Sequence, residues 1–182
     1  MIRLIIEKIT NGTTIETLKA DVKGVPTFIF IMGGSGSGKN YVFDKFLKGI
    51  PLIDVDKYTA EYSKEFGTPA TKHVGKATSR SKRELLSAFA SNKTIAQVGT
   101  GSNLESSENK FMWAKEKGMK VVVIFIDTDV NKALKRNKRR HEQGVQGLVP
   151  DDKVRATSKK SKSNIKVFKS NSNVDLIIQY KN

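Results

Sequence analysis

The chain contains no cysteine. Disulfides and thiolate metal sites are excluded, and a reducing compartment is compatible with the composition. The histidines offer none of the paired spacings that hold a metal ion. No apolar run approaches the ~20 residues that a helix needs to span a bilayer. The opening stretch carries Glu7 and Lys8 among its apolar residues, which is not the shape of a secretory signal. These absences predict a soluble, cytoplasmic protein with no membrane partner. Acidic residues are the remaining shortage. Eighteen Asp and Glu stand against 33 Lys and Arg, giving a net charge of +15 over 182 residues. A domain of this size folds without such an imbalance. The excess either keeps the surface soluble or meets a polyanion, because each cation set on a phosphate releases counterions. A nucleotide alone has no use for so many.

What is present is a set of apolar runs separated by helical patterns. Thr27 to Met32 is a continuous apolar run before glycines, and Lys120 to Asp127 is another. Such runs read as central parallel strands buried on both faces. Shorter strands are expected at 52–55, 94–98 and 174–180. Helices are expected at 79–91, at 103–117 with Gly118 closing the last turn, and at 129–142 with a cap from Asp127, Thr128 or Asp129. Alternating strands and helices predict an α/β fold: a five-stranded, mostly parallel sheet flanked by helices, with right-handed crossovers. At the N-terminus, two imperfectly alternating segments flank Asn11-Gly12, a pair that favours tight hairpin turns. A β-hairpin is therefore expected at 2–20, an appendage over residues 1–23 to a main domain over 24–182.

The first central strand runs into Gly33-Gly34-Ser35-Gly36-Ser37-Gly38-Lys39, which fits G-x-x-x-x-G-K. Phosphate binding needs glycines there, because backbone N–H groups must turn around the phosphates without side chains in the way. Lys39 then reaches the β- and γ-phosphates, and the following helix adds its positive end. An apolar strand before and an amphipathic helix after supply the context the motif requires. Residues 33–41, through Asn40 and Tyr41, are the expected nucleotide site, with ATP and Mg2+ as cofactors of a P-loop NTPase fold. The motif ordinarily ends in Ser or Thr, whose hydroxyl ligates magnesium; Asn40 stands there instead. Asn40 and Asp54 are the candidate metal ligands. Beyond the loop, Leu52-Ile53-Asp54-Val55-Asp56-Lys57-Tyr58 sets two carboxylates at the end of a short strand. Each suits either a base for an attacking hydroxyl or a helix N-cap.

With Asp54-Val55-Asp56 in place, the sequence resembles the phage polynucleotide 5′-kinases and the wider group of zeta toxins and small phage P-loop kinases. The resemblance spans about residues 26–165. It includes Thr100-Gly101-Ser102-Asn103-Leu104 after the third strand, Trp113 to Val121 leading into the fourth, Ala133 to Arg140 as an arginine-bearing lid (about 136–150), and Val149-Pro150 restarting a helix. It implies a nucleoside-monophosphate-kinase-like fold, a catalytic aspartate at Asp56 and phosphate contacts from Arg136 and Arg140. These two arginines are four residues apart and share a helix face, where they can stabilise transition-state charge. It also implies a phage protein acting in the host cytoplasm. Two departures stand out. Gly99 replaces an acidic residue at the end of the third strand, and Thr59 replaces an arginine that grips acceptor phosphate.

Acceptor recognition is expected from Asp54, from Thr100 and Asn103, and from Lys72, His73, Lys76, Arg80 and Arg83 in a basic stretch read as loop and helix start. Lys153, Arg155, Lys159, Lys160, Lys162, Lys166 and Lys169 add charge further on. Three functions remain open. One is an ATP-dependent kinase of a hydroxyl of DNA or RNA, with DNA the favoured substrate, at a 5′ end or a hydroxymethylated base. The second is a kinase of a small molecule such as a nucleoside or nucleotide-sugar. The third is a nucleic-acid-binding module that holds nucleotide without transfer.

Overall fold

The computed structural model describes residues 4–6, 14–18, 22–143 and 149–181. Six strands form one sheet: β1 (Leu4–Ile6), β2 (Thr27–Met32), β3 (Leu52–Ile53), β4 (Ile95–Gly99), β5 (Lys120–Asp127) and β6 (Leu176–Lys181). Their order is β1-β6-β5-β2-β4-β3. The expected five-stranded parallel sheet is present in β3, β4, β2, β5 and β6. Alternate residues of the central strands fill two cores. Phe28, Phe30, Val121, Val123 and Phe125 face one layer, and Ile29, Ile31, Val122, Ile124 and Ile126 the other. This is why both strands read as unbroken apolar runs. Phe28 packs edge-on to Phe89 with centroids 5.1 Å apart, and Phe111 to Phe168 at 5.0 Å, so edge-on aromatic pairs run through the first core.

The helices are α1 (Lys39–Val42), which widens into a π turn at Phe43–Leu47, α2 (Val55–Phe66), α3 (Val74–Ala90), α4 (Leu104–Glu116), α5 (Val130–Glu142) and α6 (Asp151–Phe168). Among the described residues no helix is long and apolar enough to cross a membrane. The register aligns Met32 with Gly99 on one side and with Phe125 on the other. The loops leaving β2, β4 and β5 therefore emerge level with one another. The chain leaves β2 in one direction along the sheet and later β5 in the other, so this edge is the switch point where open parallel sheets bind ligands.

Three expectations change. Strand β3 stops at Ile53, because Asp54 accepts from the N–H groups of Asp56 and Lys57 and opens α2. The basic stretch is helix rather than loop: a 3-10 turn over Ala70–His73 leads directly into α3. At the N-terminus, β1 pairs antiparallel with β6, while Thr14–Leu18 is a helical turn and not a second hairpin strand. Thr14 and Thr17 cap each other there, each backbone N–H donating to the other's hydroxyl. Ile15, Leu18 and Val22 are buried in the second core. Asn11-Gly12 lies outside the described residues.

Candidate active site

The glycine-rich loop joins β2 to α1 at the switch point. Gly36 has φ 77°, and a Cβ there would sit 2.6 Å from the Ala133 carbonyl on α5, so only glycine lets that helix approach. The loop is braced on two sides. The Ser37 carbonyl accepts from Thr128 Oγ1 at 2.9 Å and from Arg136 at 3.3 Å. The Ser35 N–H donates to Thr157 Oγ1 of α6 at 3.2 Å. Lys39 Nζ donates to the carbonyls of Gly33 and Gly34 at 2.9 and 3.1 Å. Burial lowers its pKa to about 8; Asp56 and then Asp54 oppose that fall, and Arg140 adds to it. Lys39 is thus a desolvated ammonium within the field of both carboxylates and of the α5 arginines.

The two aspartates divide. Asp54 is buried and is the N-cap of α2, and its Oδ2 accepts from the Asn40 amide at 3.0 Å. Of the two alternatives read for it in the sequence, the helix cap is the one seen, and its second oxygen is turned to Asn40 beside the phosphate loop. Asp56 is exposed in the first turn of α2 with no ion-pair partner among the described residues, a carboxylate open to a ligand. Replacing Asp54 by alanine is expected to cost about 1 kcal/mol through the lost cap. A thermal unfolding scan then shows a fall of about 2–4 °C.

One open cleft of about 1130 Å³ joins these residues. It exceeds the ~300–1,000 Å³ typical of a single-ligand pocket, leaving room for a nucleotide and an acceptor. Ser35, Gly36, Gly38, Asn40 and Tyr41 line it with Asp54 and Asp56. Seven cations face it: Lys39, Lys110, Lys132, Arg136, Arg139, Arg140 and Lys181. Arg136 and Arg140 stand one turn apart on α5. Residues 144–148 of the expected lid lie outside the described residues, but their flanks are joined. The Asn137 amide donates to the Val149 carbonyl at 2.7 Å and its Oδ1 accepts from the Val149 N–H at 3.3 Å. No group of three or more His, Cys, Asp or Glu capable of holding a metal ion occurs among the described residues. Asp54 with Asn40 fits a magnesium ion held mainly by nucleotide phosphates and water, as that ion commonly is.

Thr100 and Asn103 line the cleft. The loop holding them is anchored by α6: Ser161 donates to the Thr100 carbonyl, and Asn164 donates to the Gly101 carbonyl at 2.7 Å. Asn103 also caps α4, accepting from the Ser106 N–H at 2.9 Å. Lys72, His73, Lys76, Arg80 and Arg83 do not line the cleft. Arg80 pairs with Glu61 and Glu84 at 2.9 and 2.8 Å and lies over the Tyr58 ring. These carboxylates raise its pKa above an already high value. Lys76 sits 4.4 and 4.3 Å from the Tyr62 and Phe66 ring centroids, and His73 stacks on Phe66 and bonds Thr68. This part of the basic stretch stitches α3 to α2, while Lys72 and Arg83 are exposed on α3's side of the molecule. Gln97, Ser106, Ser107 and Lys110 line the cleft without having been expected there. Asn103, Ser106, Ser107 and Lys110 recur at helical spacing, a polar stripe visible in the sequence.

The comparisons with known proteins bear on family and fold. The family model described as zeta toxin matches residues 13–182. No curated protein matches the chain in sequence. Among solved structures, the chain is similar to one of the PezAT chromosomal toxin–antitoxin system of the human pathogen Streptococcus pneumoniae. There it has 16% identity and TM-score 0.64, covering 96% of this chain and 80% of that one. It is similar to an AvrRxo1-ORF1:AvrRxo1-ORF2 structure with sulphate ions, at 17% identity and TM-score 0.68, covering 92% of this chain and 58% of that one. It is also similar to the Pnkp1/Rnl/Hen1 RNA repair complex, at 15% identity and TM-score 0.64, covering 79% and 46%. The chain thus spans about half the length of the last two. At these identities the likeness is one of fold. The family match extends over nearly the whole chain and takes in the phosphate loop, both aspartates and the α5 arginines: the chain belongs to the zeta toxin family of P-loop phosphotransferases.

Proposed function

We propose that the chain transfers the γ-phosphate of ATP to a hydroxyl of a nucleic acid, at a 5′ end or a hydroxymethylated base of DNA, with Asp56 as the base. The observation that carries this reading is the charge of the cleft, seven cations against the carboxylates of Asp54 and Asp56. More of the same charge flanks it. Helix α6 carries Lys153, Arg155, Lys159, Lys160, Lys162 and Lys166, with no acid after Asp152. In the proposed step, Asp56 takes the proton of the acceptor hydroxyl as its oxygen bonds to the γ-phosphorus. The bond to the β–γ bridging oxygen breaks and ADP leaves. Lys39, Arg136 and Arg140 neutralise the phosphoryl oxygens, where removal of one such donor commonly costs 10²–10³-fold in rate. Asp54 and Asn40 would hold a magnesium ion, which would supply further neutralisation of the phosphate charge.

A small-molecule acceptor is the second reading. It is favoured by Phe30, Gln97 and Lys110 in the cleft lining, an apolar ring, an amide and a cation that suit a compact ligand. The two part on salt. Acceptor binding is measured by fluorescence anisotropy with labelled oligonucleotide from 50 to 200 mM salt, and label from γ-labelled ATP is followed in parallel. Nucleic-acid transfer predicts a log–log slope of several units and label in the polynucleotide. A flat response with label in small molecules contradicts it.

A further inference from the structure

We propose that Lys110 holds a phosphate group of the acceptor in the cleft while Gln97 Oε1 accepts from a neighbouring ligand hydroxyl, so that the acceptor carries a phosphate group close to its reactive hydroxyl. The proposal deepens the kinase reading above and rests on it. Four observations point to the subsite. First, Lys110 lines the cleft on the polar stripe of α4, a different wall from the phosphate loop and α5. The groups suited to the ATP triphosphate are thus complete without it. Second, no carboxylate among the described residues lies within ion-pairing distance of Lys110. Its charge rests 5.5 Å from the Phe30 ring centroid, and burial lowers its pKa. A desolvated ammonium without a counter-ion is costly unless a ligand supplies the charge. Third, Gln97 is 4% exposed. Its amide nitrogen is fixed on Ser81 Oγ at 3.0 Å, while Oε1 has no hydrogen-bond partner. Buried polar atoms are rarely left so, and a ligand hydroxyl would satisfy this one. Fourth, Gly99 keeps the space above Phe30 clear, since a Cβ there would stand 3.1 Å from the ring. An acid at that position in the cleft lining would oppose the phosphate; a glycine admits it.

The same phosphate chemistry occurs in a small phosphate ester and in a nucleic-acid strand, and the test separates them. The full chain is saturated with Mg2+ and the non-hydrolysable ATP analogue AMP-PCP. Its lysines are 13C-methylated, and the Lys110 signal is identified by its loss in Lys110→Gln. The probes are ribose 5-phosphate and the dinucleotide TpT, with ribose and thymidine as neutral controls. The subsite predicts that a phosphate probe shifts the Lys110 signal saturably while the neutral controls do not. It also predicts that Lys110→Glu weakens binding of that probe at least tenfold. A response to ribose 5-phosphate alone identifies a small ester as the source, and a response to TpT alone a strand. A Lys110 signal unmoved by both probes, or unchanged probe affinity in Lys110→Glu, overturns the subsite and leaves the kinase reading standing. Failure of AMP-PCP to bind overturns the kinase reading and the subsite with it.

Discussion

Replacing Asp56 by asparagine is expected to slow γ-phosphoryl transfer by about two to four orders of magnitude, the usual contribution of a positioned general base. Asparagine keeps the size and removes the capacity to take a proton. Asp56 makes no side-chain ion pair among the described residues and does not cap α2, a task held by Asp54. The loss is therefore chemical rather than structural, and the unfolding temperature should stay within a degree or two. Affinity for ATP is expected to hold or rise, since a negative charge facing the γ-phosphate is gone. One secondary effect has a defined sign. Asp56 is the carboxylate that most supports the Lys39 ammonium, so without it the Lys39 pKa falls further. Single-turnover rates and nucleotide titrations check these points together. Turnover unchanged in Asp56→Asn would favour a nucleotide-binding module over any kinase.

Lys39→Met is expected to lower kcat/KM for ATP by 10²-fold or more, comparable to removing a preorganised donor from a water-poor site. The pH dependence separates this role from simple packing. The ammonium form binds phosphate, and burial brings its pKa to about 8. Nucleotide affinity should therefore be steady below that value and fall as pH rises through it, by up to tenfold per pH unit. In Lys39→Met the same titration should be flat across that range. A wild-type affinity that is level from pH 7 to 10 would show that the Lys39 charge is not what holds the phosphates.

The legible parts of this protein are those written in contiguous residues. Strands β2 and β5 are buried on both faces, so every position is apolar and the runs cannot be missed. The phosphate loop is a local motif between a strand and a helix, and both neighbours are where the pattern requires. Helix α2 was hidden by its own cap. The pair Asp54 and Asp56 reads equally as a strand end, although Val55, Tyr58, Tyr62 and Phe66 carry the helical period. The N-terminal segment shows two local signals in competition. Asn11-Gly12 favours a hairpin, but Thr14 and Thr17 cap a helical turn that buries Ile15 and Leu18. The basic stretch misled for a tertiary reason: Arg80 and Lys76 find Glu61, Glu84 and aromatic rings on the neighbouring helix. Gln97, Lys110 and Phe30 come from three separate segments and meet only once the sheet is assembled. At Gly99 the sequence shows a missing acid, and the fold shows the Phe30 ring beneath it.

The most direct test of the central claim follows the fate of the γ-phosphate itself. Wild-type chain, ATP and Mg2+ are incubated with oligonucleotides bearing free hydroxyl ends, hydroxymethylated duplex, RNA and nucleosides. Products are then read by mass spectrometry. Transfer to a hydroxyl predicts ADP formed in equal amount with a phosphomonoester on one acceptor class, abolished in Lys39→Met and reduced at least a hundredfold in Asp56→Asn. ATP that is bound but not consumed, or consumed only to inorganic phosphate at a rate Asp56→Asn does not alter, would contradict it.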